Sequence, residues 1–248
     1  MYTDNGIHLG LVHGDQLIAA APEQRVVGVT PLLQYNPAMP TVVVSKDQIF
    51  PQWLVAKGLL KSSQLDTSYD GAPARFVGDP AIAQQGFANS EPYTYEHETP
   101  HWNKPVAYAM VKDAGYDAYA SNVTVRADAL EDLAPCLSKV VPRIQRTGKN
   151  YVTGPDAVNA TIVDWVDRDM PFTPYSEGEA AYSARLLADK EVIAPGPDGV
   201  YGSYDLTRIQ PISDDIAALL EADGAPRLPR PLPLNELYTN RFVSTEVR

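Results

Sequence analysis

A chain of 248 residues, 44% hydrophobic and 9% aromatic, can bury the core of one large domain or two modest lobes, which argues against intrinsic disorder despite 22 prolines and 16 glycines. A formal net charge of −11 repels phosphate backbones and anionic lipid, so nucleic acid is not an expected partner. Cys136 is the single cysteine, which excludes an intrachain disulfide or a cluster of thiolate ligands.

Residues 5–21 (NGIHLGLVHGDQLIAAA) carry Ile7, Leu11 and Ile18 at spacings that predict a glycine-weakened helix, and RVVGVT predicts a short buried strand after it. The proline-bounded loop QYNPAMP leads to TVVVS, Thr41 to Ser45, whose β-branched run reads as a buried strand of the parallel type. FPQWLVAKG has a proline suited to a first helical turn and a glycine suited to a C-terminal cap, and so predicts a short helix. A Gly, Pro, Asp and Tyr-rich stretch follows, then KPVAYAMVKDAGY as a strand and turn, and SNVTVRAD as another strand. Helices are expected at 128–151, interrupted by Pro135 and Pro142, and at 156–168, 176–190 and 205–222, the last with Asp205 as N-cap and Gly224 as stop. In the tail, Leu237, Tyr238 and Phe242 form a cluster expected to dock. Strands alternating with helices point to an α/β class. No run of about 18 apolar residues is present to span a bilayer, and the first residues, MYTDNGIHLG, lack the basic start and apolar core of a signal peptide.

The segment YEHETPHW contains His97-Glu98-Thr99-Pro100-His101, which matches the H-E-x-x-H pattern of zinc peptidases. That pattern works only on a continuous helix, where the two imidazoles lie one turn apart on one face. Pro100 removes the N–H that would bond to the carbonyl of Glu96 and disfavours helical geometry at Thr99, so the histidines are not expected to converge. A short helix beginning after Pro92, ending near Glu98 and leaving both histidines at the surface is the expected structure. No metal site and no cofactor are expected. No G-x-S-x-G elbow, phosphate-cradling loop or dinucleotide fingerprint is found, so the sequence chemistry favours binding over catalysis.

A further signal surrounds the same segment. QLDTSYDGAPARFVGDPAIAQQGFANSEPYTYEHE, continuing through HWNKPVAYAMVKDAGY and VRADALEDLAPCL to the closing LYTNRF, resembles the extracytoplasmic solute-binding proteins of ABC importers. The branch is the one that handles nitrate, sulfonates, taurine and thiamine-pyrimidine precursors. The resemblance implies a bilobal α/β fold of the periplasmic-binding-protein type 2 kind, with two Rossmann-like lobes joined by hinge strands near TVVVS and SNVTVRAD. It implies one lobe from 1–45 plus 122–248 and a second from 46–121, with a small organic ligand held between them. It also implies partnership with an ABC permease and ATPase, an extracytoplasmic location, and no catalysed reaction. Relatives begin with a signal peptide or lipid-attachment cysteine and a first strand and helix; by the resemblance, Met1 stands at the third such unit, so the N-terminal lobe is expected to lack its first elements. Membrane association is then expected only through the transporter or through a lipid anchor absent from this chain. Two alternatives share the fold: a thiamine-pyrimidine synthase-like enzyme, whose cysteine-rich motif is missing here, and a cytoplasmic ligand-sensing domain.

The resemblance points to ligand-facing loops at Asp4 and Asn5, at Tyr35 and Asn36, at Trp53, at Tyr69 and Asp70, and in the S-E-P-Y turn at Ser90, Glu91 and Tyr93. Aromatic walls with a few polar groups suit a small organic ligand. Arg75 and Arg126 are the expected anion-binding bases, each with an ordinary ion pair as the competing role, and Glu91 is expected either to pair with a base such as Arg126 or to accept a ligand N–H.

Overall fold

The computed structural model describes residues 10–12, 17–18, 26–33, 43–79, 81–170 and 173–248. In chain order its elements are β1 (Gly10–Val12), β2 (Val26–Leu33), α1 (Phe50–Ala56), α2 (Ala74–Gly78), α3 (Glu91–His97), β3 (Ala120–Arg126), α4 (Leu130–Thr153), α5 (Asp156–Asp169), α6 (Glu177–Asp189), α7 (Leu206–Ala222) and α8 (Leu234–Leu237), with short 3-10 turns between them. The chain is therefore mixed α/β. Among the described residues, no helix is long and apolar enough to cross a membrane.

Two compact units share the chain. The first takes the described parts of 1–36 with 116–149 and 193–248, and the second takes those of 37–115 with 150–192. Residues 150–192 thus cluster with the middle of the chain, whereas the sequence reading assigned them to the flanking segments. The reason is local: α5 and α6 pack on each other, and α6 packs on α3, which lies in the middle segment.

In the first unit β3 is the central strand, antiparallel to β1 on one side and β2 on the other. It is buried along nearly its whole length because both faces are covered. On one face Val123 and Val125 meet Val29, Leu137, Val141 and Phe242 in the core. On the other, Asn122 accepts a hydrogen bond from the fully buried Tyr204 hydroxyl at 3.1 Å, and the Tyr204 ring packs edge-on against Tyr119 and obliquely against Tyr238. This aromatic stack explains Gly28: a Cβ there would come 2.8 Å from the Tyr204 hydroxyl and 3.0 Å from the Tyr238 ring, and a bulge at this point lets β2 curve around it.

Helix α4 runs unbroken through Pro135 and Pro142, where an interruption was expected. Its buried positions Leu137, Val141 and Gln145 recur at helical spacing on one side. The prolines are seven residues apart on the other side, so the carbonyls they leave without donors, at Glu131 and Ser138, belong to exposed residues and remain open to water. The tail docks as expected, with Leu237, Tyr238 and Phe242 buried. Gln145 holds it in place: its amide nitrogen donates to the carbonyls of Tyr201 at 2.6 Å and Ser244 at 3.1 Å, while its oxygen accepts the Ser244 N–H at 2.8 Å.

Three expected elements differ. Gly10–Val12 is a strand paired with β3, not part of a helix, because an extended segment there satisfies the free edge of the central strand; most of the expected helix lies outside the described residues. TVVVS contributes bridges rather than a full strand: Val43 pairs in parallel with both Asp66 and Gln84, and Ser45 pairs with Ser68. KPVAYAMVKDAGY forms no strand, and its regular part is a 3-10 turn at Val111–Ala114 ending on Gly115 at φ 98°.

Replacing Gln145 with Leu strands two carbonyls and an N–H in a buried setting, each worth about 1–3 kcal/mol when unsatisfied. A loss of on the order of 3 kcal/mol in urea denaturation is the expected result, with the tail becoming sensitive to protease.

Candidate functional site

The second unit contains a cavity of about 350 Å³. Its aromatic wall is built from three elements: Phe76 on α2, Tyr95 on α3, and Trp102 just beyond α3. Phe76 lies 5.0 Å from Tyr95 and 4.9 Å from Trp102 between ring centroids, and Tyr95 meets Trp102 edge-on at 6.1 Å. The polar wall comes from Glu91, one helical turn before Tyr95 and on the same face of α3, and from the Gln84-Gln85 pair. The stretch from Pro105 to Tyr108 completes the rim, and none of the lining residues is basic.

Two groups on this wall are poorly compensated by the protein. Desolvation raises the Glu91 carboxyl above its ordinary pKa, although the Phe87 N–H, donating at 2.6 Å, and its own N–H pull the other way. Gln84 donates through Nε2 to the Tyr95 hydroxyl at 3.0 Å, and its buried Oε1 finds no donor. Such an orphan costs about 1–3 kcal/mol and persists where a bound partner supplies the missing bond. The same burial, with Glu91 nearby, pushes the phenols of Tyr69 and Tyr95 up to about 12, so both remain protonated donors at neutral pH. Gln85 is structural: its Oε1 accepts the Ser45 N–H at 2.9 Å, and its backbone N–H donates to the Val43 carbonyl at 2.8 Å.

The S-E-P-Y turn divides its labour. Glu91 faces the cavity, whereas the hydroxyl of Ser90, the N-cap residue of α3, donates to the Glu179 carboxylate of α6 at 2.5 Å. Glu179 is only 5% exposed. Desolvation and the nearby Glu98 raise its pKa, and the Ser90 bond opposes them. Tyr93 points away from Glu91 and packs against the rings of His97 and Tyr182. Its ring occupies the space above Gly178, where an added Cβ would come 2.6 Å from the phenol carbon.

The other expected ligand residues are placed as follows. Trp53 is buried in α1, with the Lys57 ammonium 5.6 Å above its ring. Asp70 makes an ordinary turn, accepting the Ala72 N–H at 3.0 Å. Arg75 pairs with Asp66 at 2.5 Å and also donates to Ser68, which holds the Asp66 carboxyl well below the usual range. Arg126 pairs with Asp128, so both arginines are engaged locally. Asp4, Asn5, Tyr35 and Asn36 lie outside the described residues. Helix α3 ends at His97, and His101 sits at φ 68°, so the H-E-x-x-H residues do not share a helical face. Among the described residues, no group of three or more His, Cys, Asp or Glu side chains is placed to hold a metal.

Sequence reasoning missed Phe76, Gln84, Tyr95 and Trp102. A signal for two of them was present: Tyr95 stands four residues after Glu91 on a helix, and Trp102 closes YEHETPHW. Phe76 and Gln84 arrive through chain folding alone. No family model matches the chain, and no curated protein matches it, so the site is read from its own chemistry.

Two outcomes follow from the α3–α6 contact. Gly178→Ala would stabilise an isolated helix by about 1 kcal/mol, but here it must displace Tyr93, so a net loss of about 1–3 kcal/mol is expected in thermal or urea unfolding. A carboxyl whose pKa is raised in the folded state adds stability that is complete below the ordinary value of 4.5 and is lost as pH rises through the folded value. Glu179→Gln retains an acceptor for Ser90 and removes the charge. Its melting temperature is expected to exceed that of the parent near neutral pH, with the gap narrowing as pH falls toward 4.5.

Proposed function

We propose that this protein is the solute-binding component of an ABC importer, a bilobal protein of the periplasmic-binding-protein type 2 kind that captures a small organic molecule outside the cytoplasm. It passes the molecule unchanged to a permease and its ATPase. The single observation that carries the reading is the aromatic-walled cavity with Glu91 and Gln84 as its polar groups. Its volume falls at the small end of the range for ligand pockets, and its composition, apolar rings with a few polar atoms, is the usual one for organic ligands. Two further facts support it. The helix bearing Glu91 and Tyr95 begins in the S-E-P-Y turn, one of the segments that resemble solute-binding proteins. The chain also divides into two compact units, the number of lobes that the resemblance implies.

The test is thermal unfolding of the purified protein against sulfonates, aromatic carboxylates, nitrate and pyrimidines, with Ala107→Trp as the control. Ala107 is an exposed residue of the cavity rim, so a tryptophan there obstructs the cavity without entering the core. A ligand at a hundred times its Kd adds about 2.7 kcal/mol, a rise of about 5–10 °C for a protein of this size. At least one solute is expected to produce such a rise in the parent and not in the variant. No rise with any solute, together with no co-purified small molecule in native mass spectrometry, overturns the reading.

A further inference from the structure

We propose that the cavity walled by Phe76, Tyr95 and Trp102 selects a small planar organic cation carrying N–H groups, of the amidinium, guanidinium or protonated amino-heterocycle class, and discriminates against anions. The inference rests on the solute-binding reading and specifies its ligand class.

A carboxylate withdrawn from water is unfavourable unless a cation or several donors compensate it. Glu91 receives the Phe87 N–H, but no basic side chain lines the cavity among the described residues. Arg75, the residue before Phe76 on α2, is committed to Asp66 and Ser68. The buried Gln84 Oε1 is a second acceptor on the same wall without a donor. A guest with adjacent N–H groups and a delocalised positive charge supplies the charge that Glu91 lacks and the donor that Gln84 lacks. An anion would meet a desolvated carboxyl and an amide oxygen, both of the wrong polarity.

The aromatic wall favours the same guest. Ring faces are negative, so three rings converging within about 6 Å attract a delocalised cation and give a flat molecule surfaces to lie against. Trp102 already serves a cation in this manner, with the Lys104 ammonium 4.2 Å above its ring. Lys104 is an opposing charge close to the wall. It is exposed and therefore screened by solvent, whereas Glu91 is half-buried and is screened less.

The deciding experiment compares benzamidine with benzoate, which has nearly the same size and shape and the opposite charge, by calorimetry on the parent, Glu91→Gln, Gln84→Met and Ala107→Trp. Benzamidine is expected to bind the parent, with benzoate at least about tenfold weaker. Glu91→Gln keeps an acceptor for the Phe87 N–H, and its expected loss in benzamidine affinity is about tenfold or more. Gln84→Met should lose about fivefold, and Ala107→Trp should abolish binding, each variant with a parent-like circular dichroism spectrum. Benzoate binding as well as or better than benzamidine, benzamidine failing to bind, or benzamidine affinity unchanged in Glu91→Gln each overturns the proposed class. If benzoate or another anion of the solute panel binds and is blocked by Ala107→Trp, the ligand class falls while the solute-binding reading stands. If no solute binds at all, both fall.

Discussion

The candidate site depends on one buried hydrogen bond, from the Ser90 hydroxyl to the Glu179 carboxylate. A carboxylate that is 5% exposed has few ways to recover its lost hydration, and the serine just before α3 provides one of them. The bond ties the first turn of α3 to α6, which sets the rotation of α3 about its own axis. Once that rotation is set, Glu91 and Tyr95 must face the cavity and Tyr93 must face α6. Gly178 is the complementary feature on α6, because only a residue without a Cβ leaves room for the Tyr93 ring.

The cavity wall is polar in an unbalanced way. Several buried polar side chains away from the cavity are met by partners: Gln145 uses both ends of its amide, Asn122 receives Tyr204, and Gln85 is taken up by the backbone. The wall of the cavity instead holds a half-buried carboxyl and an amide oxygen with no donor. A fold that satisfies its polar groups in one place and leaves them open in another concentrates binding capacity at the second. The basic side chains expected to supply that capacity, Arg75 and Arg126, are neutralised by carboxylates two to nine residues away in sequence.

Local chemistry was legible where it acts over one helical turn. Pro100 argued against a helix through His97 and His101, and α3 does end at His97 with His101 in the left-handed region. Asp205 read as an N-cap, and it accepts the Arg208 N–H. The apolar pattern of α4 was legible too, but not its continuity, because proline's cost depends on which side of the helix loses its hydrogen bonds. Here that is the exposed side. Of the site, Glu91 was identified with its role as an acceptor left open. Ser90 and Tyr93, expected to face a ligand, both contact α6.

The sequence by itself determined the class of the protein and its local punctuation: mixed α/β, helices where apolar spacing and caps agree, and a helix stop before Pro100. These follow from backbone sterics and from periodicities that act within a few residues. Tertiary structure decided which side chains share the cavity. Phe76, Gln84, Glu91 and Trp102 converge only because α2, α3 and the connections around them pack together, and no local preference encodes that meeting. It also decided the signs of the charges there. A sequence shows that arginines are present, but only their distances to Asp66 and Asp128 reveal that they are already paired, and only the desolvation of Glu91 marks the cavity as a place for positive charge.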